Sequence, residues 1–464
     1  MTEKLFLNYT VFKEFIKKKK VAIVGVGVSN LPLIKFFLDH GAYVMCCDRK
    51  TIDKFDIDAA KILKSSLAEL YLGEDYLEHF KGCDVILRSP GIRIDTPQFV
   101  KAQENGAILT SEMELFLSLC TAKTIGVTGS DGKTTTTTLI YEMLKKSGRK
   151  CFVGGNIGYP LLYRIEEIGE DDVVVVELSS FQLHNMRVST DVSVITNISP
   201  NHLDYHTSYE EYIDAKRSIY TYQDESGKLV VNYDNEITKT TGENNSVSKT
   251  VFFSKNEIGS DNVYLHKGVI YLGDEPVVNT ADIKIPGIHN VENYMAAIGA
   301  VGDMVNFEDI RYVAKNFGGV AHRMELVREK DGVKYYNDSI ASSPTRTAAG
   351  LRACDDKVIL IAGGYDKHIP FDDFGDVVVD CVKHLVLIGQ TAPQIKEATE
   401  KAMKKRGIKL PITQCETFDE AVKTAHSVAQ NGDRVVLSPA SASFDMFKNF
   451  EERGNLFKEI VNNL

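Results

Sequence analysis

The segment GVTGSDGKTTTTTLI (Gly126–Ile140) holds the residues best placed by type and spacing to do chemistry. An apolar run enters a glycine-bearing turn, and Lys133 and Thr134 then open a helical pattern. Backbone N–H groups and a helix N-terminus converging on one point cradle anionic oxygens. In such a loop the lysine reaches the outer phosphates of a triphosphate, and the hydroxyl binds Mg²⁺. The strict pattern G-x-x-x-x-G-K-[ST] fails by one place, because Val127 stands where its first glycine belongs. A strand–helix turn of no catalytic use is the alternative, and the local text favours phosphate binding.

Other residues could serve such a loop. Glu177 ends the apolar run VVVVE, whose carboxyl end should open beside the phosphate turn. A carboxylate there either holds the nucleotide's Mg²⁺ or is merely solvated. His202 and Asp204 follow another apolar run in SPNHLDYH, and Lys216 lies on the helical pattern after it. Taken singly, His202 reads as structural and Lys216 as a solvated helix residue. An earlier glycine loop, VGVGVSN, has Gly25 and Gly27 but Asn30 in place of a third glycine, with Asp48 closing the next strand. It loosely matches a dinucleotide fingerprint and points to a nucleotide-like diphosphate without saying which.

These residues need parallel strands to bring their carboxyl ends together, and the chain supplies them. Short β-branched runs alternate with helical patterns almost throughout, the signature of parallel α/β domains. VAIVGV, AYVMCC and DVILRSPG read as strands of a first cycle, TIGVTGS, DDVVVVELSS and VSVITNIS of a second, and KYYNDS, KVILIAGG, HLVLIGQ and DRVVLSPAS of a third. Between Lys228 and Ile285 the text turns to short alternating segments rich in Gly, Asn and Asp, which predicts an antiparallel flap. The 464 residues, at roughly 150 per domain, suggest about three domains. Boundaries are placed at 1–111, 112–319 and 320–464.

Composition narrows the field. A net charge of -10 argues against a general nucleic-acid binder, whose footprint would be basic. No apolar stretch approaches the ~20 residues of a membrane span. The eight cysteines are scattered without a C-x-x-C, as buried free thiols of a reducing compartment would be. A cytoplasmic protein is expected.

Several segments together resemble one family, the ATP-dependent Mur ligases of bacterial cell-wall synthesis. TGSDGKTT is similar to their shortened phosphate loop, which accounts for the missing glycine. GGNIG, VVELSSFQL, the NHLDYH region with its downstream AK, GIHNVENYMAA, AHRMELV, YYNDS and AGGYDKH follow in the family's order along essentially the whole chain. Two features resemble the branch that adds D-glutamate: the dinucleotide-like start with SPGI, and LSPASASFDMFKNFEERGNLF near the end.

The resemblance implies three α/β domains: a Rossmann-like first domain, an ATPase-like middle domain with a small antiparallel sheet, and a Rossmann-like third. It implies ligation of D-glutamate to UDP-N-acetylmuramoyl-L-alanine with ATP as co-substrate, in peptidoglycan precursor synthesis and by a monomer. The UDP-sugar would lie against Gly25, Gly27, Asp48, Arg49, Lys50, Ser89, Pro90 and Gly91, with Asn156 and Gln182 near substrate and phosphate. ATP would meet Thr128, Gly129, Ser130, Asp131, Gly132, Lys133, Thr134 and Thr135, together with Asn293, Arg323 and Asp338. Two Mg²⁺ would be held by Thr134, Glu177, His202 and a carbamylated Lys216, and Lys133, Glu177, His202 and Lys216 form the implied catalytic set. Lys367, Ser443, Phe444 and Phe450 would surround D-glutamate.

Three departures stand out. Asp131 replaces a common Asn, and a carboxylate there could cap the helix that follows. Asn30 replaces a glycine. Ile340 stands where relatives carry Lys, which leaves Arg346 as a candidate second cation toward D-glutamate. The rival readings are a nicotinamide-dependent dehydrogenase, another amide ligase of the superfamily, and a nucleotide-regulated binding protein.

Overall fold

The computed structural model describes residues 6, 8–27, 30–55, 57–158, 160–202, 205–259, 261–354, 356–366 and 369–464. It divides into two compact units, Met1–Phe317 and Gly318–Leu464.

The first unit holds two sheets. The smaller contains β1 (Lys20–Val24), β2 (Tyr43–Asp48), β3 (Glu69–Leu72), β4 (Val85–Arg88) and β5 (Ile108–Thr110), all parallel, in the order β3-β2-β1-β4-β5. The order reverses between β1 and β4, and ligands of open α/β sheets bind where strand order reverses. Four of the five residues of β1 are buried, as a strand covered on both faces requires.

The larger sheet contains β6 (Lys123–Thr128), β7 (Cys151–Gly155), β8 (Val173–Glu177), β9 (Val192–Ile195), β10 (Lys228–Asn232), β11 (Lys249–Ser254), β12 (Val263–His266), β13 (Val269–Leu272) and β14 (Glu275–Asn279). Its order is β14-β13-β12-β11-β10-β9-β6-β8-β7. The segment expected to be an antiparallel flap from Lys228 instead opens with three more parallel strands, β10 on β9, β11 on β10 and β12 on β11. Only the β12–β13 and β13–β14 pairs are antiparallel, and they extend the edge of the same sheet. The helix Glu236–Glu243 between β10 and β11 supplies the crossover that a parallel pair needs, and its polar text TKTTGEN hid it.

The helix Glu112–Leu119 joins the two sheets and is buried at every position. One apolar cluster runs from Phe12, Phe36 and Phe37 through Phe116 and Leu161 to Val174, Val176 and Leu229. The two sheets therefore share a core.

The second unit holds one sheet of β15 (Glu325–Lys330), β16 (Val333–Asn337), β17 (Val358–Ala362), β18 (Val382–Leu387), β19 (Ile412–Gln414) and β20 (Arg434–Leu437), in the order β15-β16-β20-β17-β18-β19. β15 is antiparallel to β16, and the other pairs are parallel. Separate apolar clusters pack its two faces. All eight cysteines are free, with Cys46, Cys47, Cys83 and Cys415 buried and the rest half-buried. Among the described residues no helix is long and apolar enough to cross a membrane.

Candidate active site

β6 ends at Thr128, and the helix Lys133–Lys146 begins after a turn in which Gly129 and Gly132 have φ of +150° and +79°. Both glycines are required by space as well as by conformation. A Cβ on Gly129 would lie 1.9 Å from Thr196 Oγ1, and one on Gly132 would lie 2.4 Å from Asn293 Oδ1. The residues after β9 hold the turn from the other side. Thr196 Oγ1 donates to Asp131 O at 2.5 Å, and Asp131 N donates to Asn197 Oδ1 at 3.0 Å. Ser130 Oγ accepts from Ser199 N at 2.9 Å and lies 2.8 Å from Tyr212 OH. The Asp131 side chain is exposed, and the helix cap is Gly132 with no side-chain bond, so Asp131 does not cap the helix.

Two lysines converge on this turn. Lys133 Nζ donates to Gly129 O at 3.0 Å and Ser130 O at 2.9 Å. Lys216 Nζ donates to the same Gly129 O at 2.8 Å and lies 3.5 Å from Thr128 Oγ1. Lys216 is only 2% exposed. It belongs to the helix Tyr209–Arg217, whose buried residues Tyr212, Ile213, Ala215 and Lys216 face inward, and its Nζ lies 4.7 Å from the Tyr212 ring centre. Burial, reinforced by the Lys133 charge, pushes its amine well below the ordinary lysine range. The charged form of Lys216 is thus disfavoured where it sits.

Glu177 ends β8, which lies beside β6 with Glu177 paired to Val127. It is 1% exposed. Asn156 donates to its Oε1 at 2.8 Å and, through its backbone N, to its carbonyl at 2.7 Å, while Oε2 is buried with no hydrogen-bond partner among the described residues. An oxygen buried without a donor fits a cation ligand. Among the described residues no three His, Cys, Asp or Glu side chains gather to hold a metal. A divalent ion at Glu177 would therefore need oxygens of another kind beside its carboxylate. His202 has φ of +53°, and its ring lies 4.8 Å from that of Phe181, four residues after Glu177. Asp204 lies outside the described residues.

At the carboxyl ends of β1 and β4, a Cβ on Gly25 (φ +80°) would lie 2.6 Å from Ser89 Cβ, which brings the glycine loop against the Ser89-Pro90-Gly91 turn. Gly27 and Gly91 face open space. Asn30 takes over the loop's closure, donating from Nδ2 to Gly25 O at 2.9 Å. Asp48 accepts from Val26 N at 2.7 Å and Lys50 N at 2.8 Å, and Arg49 pairs with Glu74 at 3.1 Å. Gln182 is taken up in a capping box with Ser179. Arg93 was not anticipated. It grips Glu211 at 3.0 Å and Tyr205 O at 2.7 Å, and Tyr205 OH donates to Pro90 O at 3.1 Å. The Ser-Pro-Gly turn is thereby bonded to the helix of Lys216.

In the second unit, Asp338 follows β16 and is 4% exposed, with its carboxylate accepting from Ser438 Oγ at 2.7 Å and Met324 N at 3.2 Å. Burial raises its pKa to about 6, against the pull of the Arg323 and Arg346 charges. Arg323 sits between His322 and Met324, both at positive φ. Ser443 is buried, Phe444 is 59% exposed and meets Tyr365 edge-on, and Phe450 opens the last helix. Arg346 is exposed on the first turn of the helix Pro344–Arg352. Lys367 lies outside the described residues. Asn293, expected at ATP, packs against Gly132 and accepts from Thr136 Oγ1 at 3.2 Å, at the N-terminal end of the helix Lys133–Lys146.

Three family models match the chain in order: "Mur ligase MurD-like, N-terminal domain" over 19–111, "Mur ligase middle domain" over 127–301 and "Mur ligase, glutamate ligase domain" over 322–441. A UDP-N-acetylmuramoylalanine--D-glutamate ligase of Acetivibrio thermocellus is 53% identical over 98% of each chain. One of Clostridium acetobutylicum is 52% identical over 98% of this chain and 99% of its own. The crystal structure of the UDP-N-acetylmuramate-alanine ligase MurC of Thermotoga maritima shares the fold, with a TM-score of 0.55 at 17% identity over 96% of this chain and 99% of that one. The chain belongs to the Mur ligase family.

Proposed function

We propose that this enzyme joins D-glutamate to UDP-N-acetylmuramoyl-L-alanine at the expense of ATP, in cytoplasmic peptidoglycan precursor synthesis. The observation that carries the substrate assignment is the collinear identity of about half of all residues with D-glutamate ligases over nearly the whole of both chains. The division of labour follows the sequence reading: 1–111 for the UDP-sugar, 112–319 for ATP, 320–464 for the amino acid, acting as a monomer.

A carboxylate is a poor electrophile, so the L-alanyl carboxylate must first take the γ-phosphoryl group as an acyl phosphate. The amine of D-glutamate then attacks and phosphate leaves. Lys133 and the N–H groups of the Gly129–Lys133 turn neutralise the phosphates as charge shifts. Glu177, His202 and Thr134 would hold Mg²⁺, which when bound screens the two anions that must meet. Lys216 takes up CO₂ through its neutral amine, forming the N–C bond of a carbamate and releasing one proton. The carbamate would set an anion near the Lys133 charge where two ammonium groups would repel, and would offer hard oxygens to a second ion. Asp338 and Arg323 serve ATP. Ser443, Phe444, Phe450, Lys367 and Arg346 serve D-glutamate.

The test is an amino-acid panel scored by phosphate release with ATP and UDP-N-acetylmuramoyl-L-alanine. D-Glutamate alone should support turnover. Equal turnover with L-alanine, a diamino acid or L-glutamate would overturn the assignment.

A further inference from the structure

Among the described residues Arg453 is the bulkiest of the fully buried side chains. It is 2% exposed, in the helix Phe450–Asn463. A guanidinium is expensive to bury unless its donors are used. Among the described residues its hydrogen bonds all go to uncharged oxygens. Nε donates to Ser339 Oγ at 3.0 Å, Nη2 to Ser339 O at 2.9 Å and Ser441 O at 3.2 Å, and Nη1 to Ser441 O at 3.2 Å and Ala442 O at 3.1 Å. Asp445 acts on it only through space, and burial lowers its pKa no further than about 10, so it stays a cation at neutral pH.

The acceptors belong to two loops. One follows β16 and carries Asp338, Ser339 and Ile340. The other follows β20 and carries Ser441, Ala442, Ser443 and Phe444. The same turn of helix also holds the end of β16 and the loop after it. Phe450 O accepts from Ser339 Oγ at 2.8 Å, and Gly454 O accepts from Asn337 Nδ2 at 3.3 Å. A Cβ on Gly454 would lie 2.1 Å from His322 Nδ1. Ser441 and Ala442 also line a small hollow with Ser342, Tyr365 and Thr391. A carboxylate partner would have stabilised the charge more simply. The planar fork of donors instead closes two backbones around one point, which a lysine's single ammonium cannot do.

We propose that Arg453 is a positioning residue for the amino-acid site, setting the Ser339–Ile340 and Ser441–Phe444 loops against each other. The proposal rests on the D-glutamate reading of those loops. It is tested in the full-length enzyme with Arg453→Lys and, as a milder lesion, Ser339→Ala. The KM of each substrate is measured, with hydroxylamine trapping of the acyl phosphate in the absence of D-glutamate. Arg453→Lys should raise the D-glutamate KM by ~10–100-fold while the ATP and UDP-sugar KM values stay within about twofold. Trapping should match wild type. Ser339→Ala should shift the same KM alone, by less. An unchanged D-glutamate KM, or a parallel rise of all three, overturns the proposal; if Arg453→Lys fails to melt cooperatively, Ser339→Ala decides by the same criterion. Wild-type turnover with another amino acid would overturn only the D-glutamate reading, and the KM split for that amino acid would then decide the role of Arg453.

Discussion

Lys216 and Arg453 are both cationic side chains exposed by only 2%, and the molecule treats them in opposite ways. Lys216 shares the Gly129 carbonyl with Lys133, and burial together with the Lys133 charge disfavours its own charge. Arg453 spreads its charge over four acceptor oxygens on two loops and keeps it. A lysine desolvates into a neutral nucleophile, whereas a guanidinium cannot be deprotonated under the same conditions. The phosphate loop thus encloses a cation whose charge is disfavoured, and the loops of the second unit enclose one whose charge is kept.

The largest expected effect comes from exchanging these properties. Lys216→Arg restores a permanent cation beside Lys133 and should lower kcat by about a thousandfold or more through loss of the metal-binding oxygens. Lys216→Ala should fall comparably but recover part of its activity with added short carboxylic acids, which Lys216→Arg cannot admit. Near-normal activity of Lys216→Ala in CO₂-free buffer would remove the distinction between the two sites. Next in size is the intermediate. Hydroxylamine with ATP and the UDP-sugar, without D-glutamate, should yield a hydroxamate in wild type and almost none in Lys216→Arg. A hydroxamate of equal yield in both would place Lys216 after activation.

Arg346→Ala tests whether an exposed cation assists the buried one. Loss of a charge-assisted bond of roughly 1.5–3 kcal/mol should raise the D-glutamate KM by ~10–100-fold and leave the ATP KM unmoved. An unchanged D-glutamate KM would leave Lys367 as the cation for both carboxylates.

The smallest effect on turnover is expected at Glu112, a buried group that gives up its charge without doing chemistry. Burial raises its carboxyl from 4.5 to about 7, opposed by the bond from Leu162 N. A raised acid stabilises the fold fully below pH 4.5, and that contribution is lost as pH rises toward about 7. Glu112→Gln should therefore match wild type near pH 4.5 and gain roughly 3 kcal/mol of relative stability by pH 7, read as a higher Tm with kcat unchanged. A constant Tm difference across that range would show that Glu112 does not titrate there.

The strand runs and both glycine loops were legible because buried parallel strands need continuous apolar text and phosphate turns need glycine. The sequence also ordered the matched segments. It read less well where polar residues are buried by tertiary packing. Lys216 looked solvated because a helix pattern shows which residues share a face but not that the phosphate turn covers that face. Arg453 carried a usable signal: it lies on the stripe with Gly454, Phe457 and Val461, a core position for a charged residue. Arg93 carried none, since its partners Tyr205 and Glu211 are more than a hundred residues away. The flap was misread because Gly-, Asn- and Asp-rich text marks turns without saying whether the strands between them cross over.

The most direct test of the contrast between the two buried cations is ¹³C NMR of the enzyme equilibrated with ¹³C-labelled bicarbonate. A protein-bound carbamate resonance should appear in wild type and in Arg453→Lys, vanish in Lys216→Arg, and gain intensity in proportion to activity as CO₂ is restored. Full activity without such a resonance, or its persistence in Lys216→Arg, would contradict the claim that Lys216 works as a neutral amine that becomes an anion.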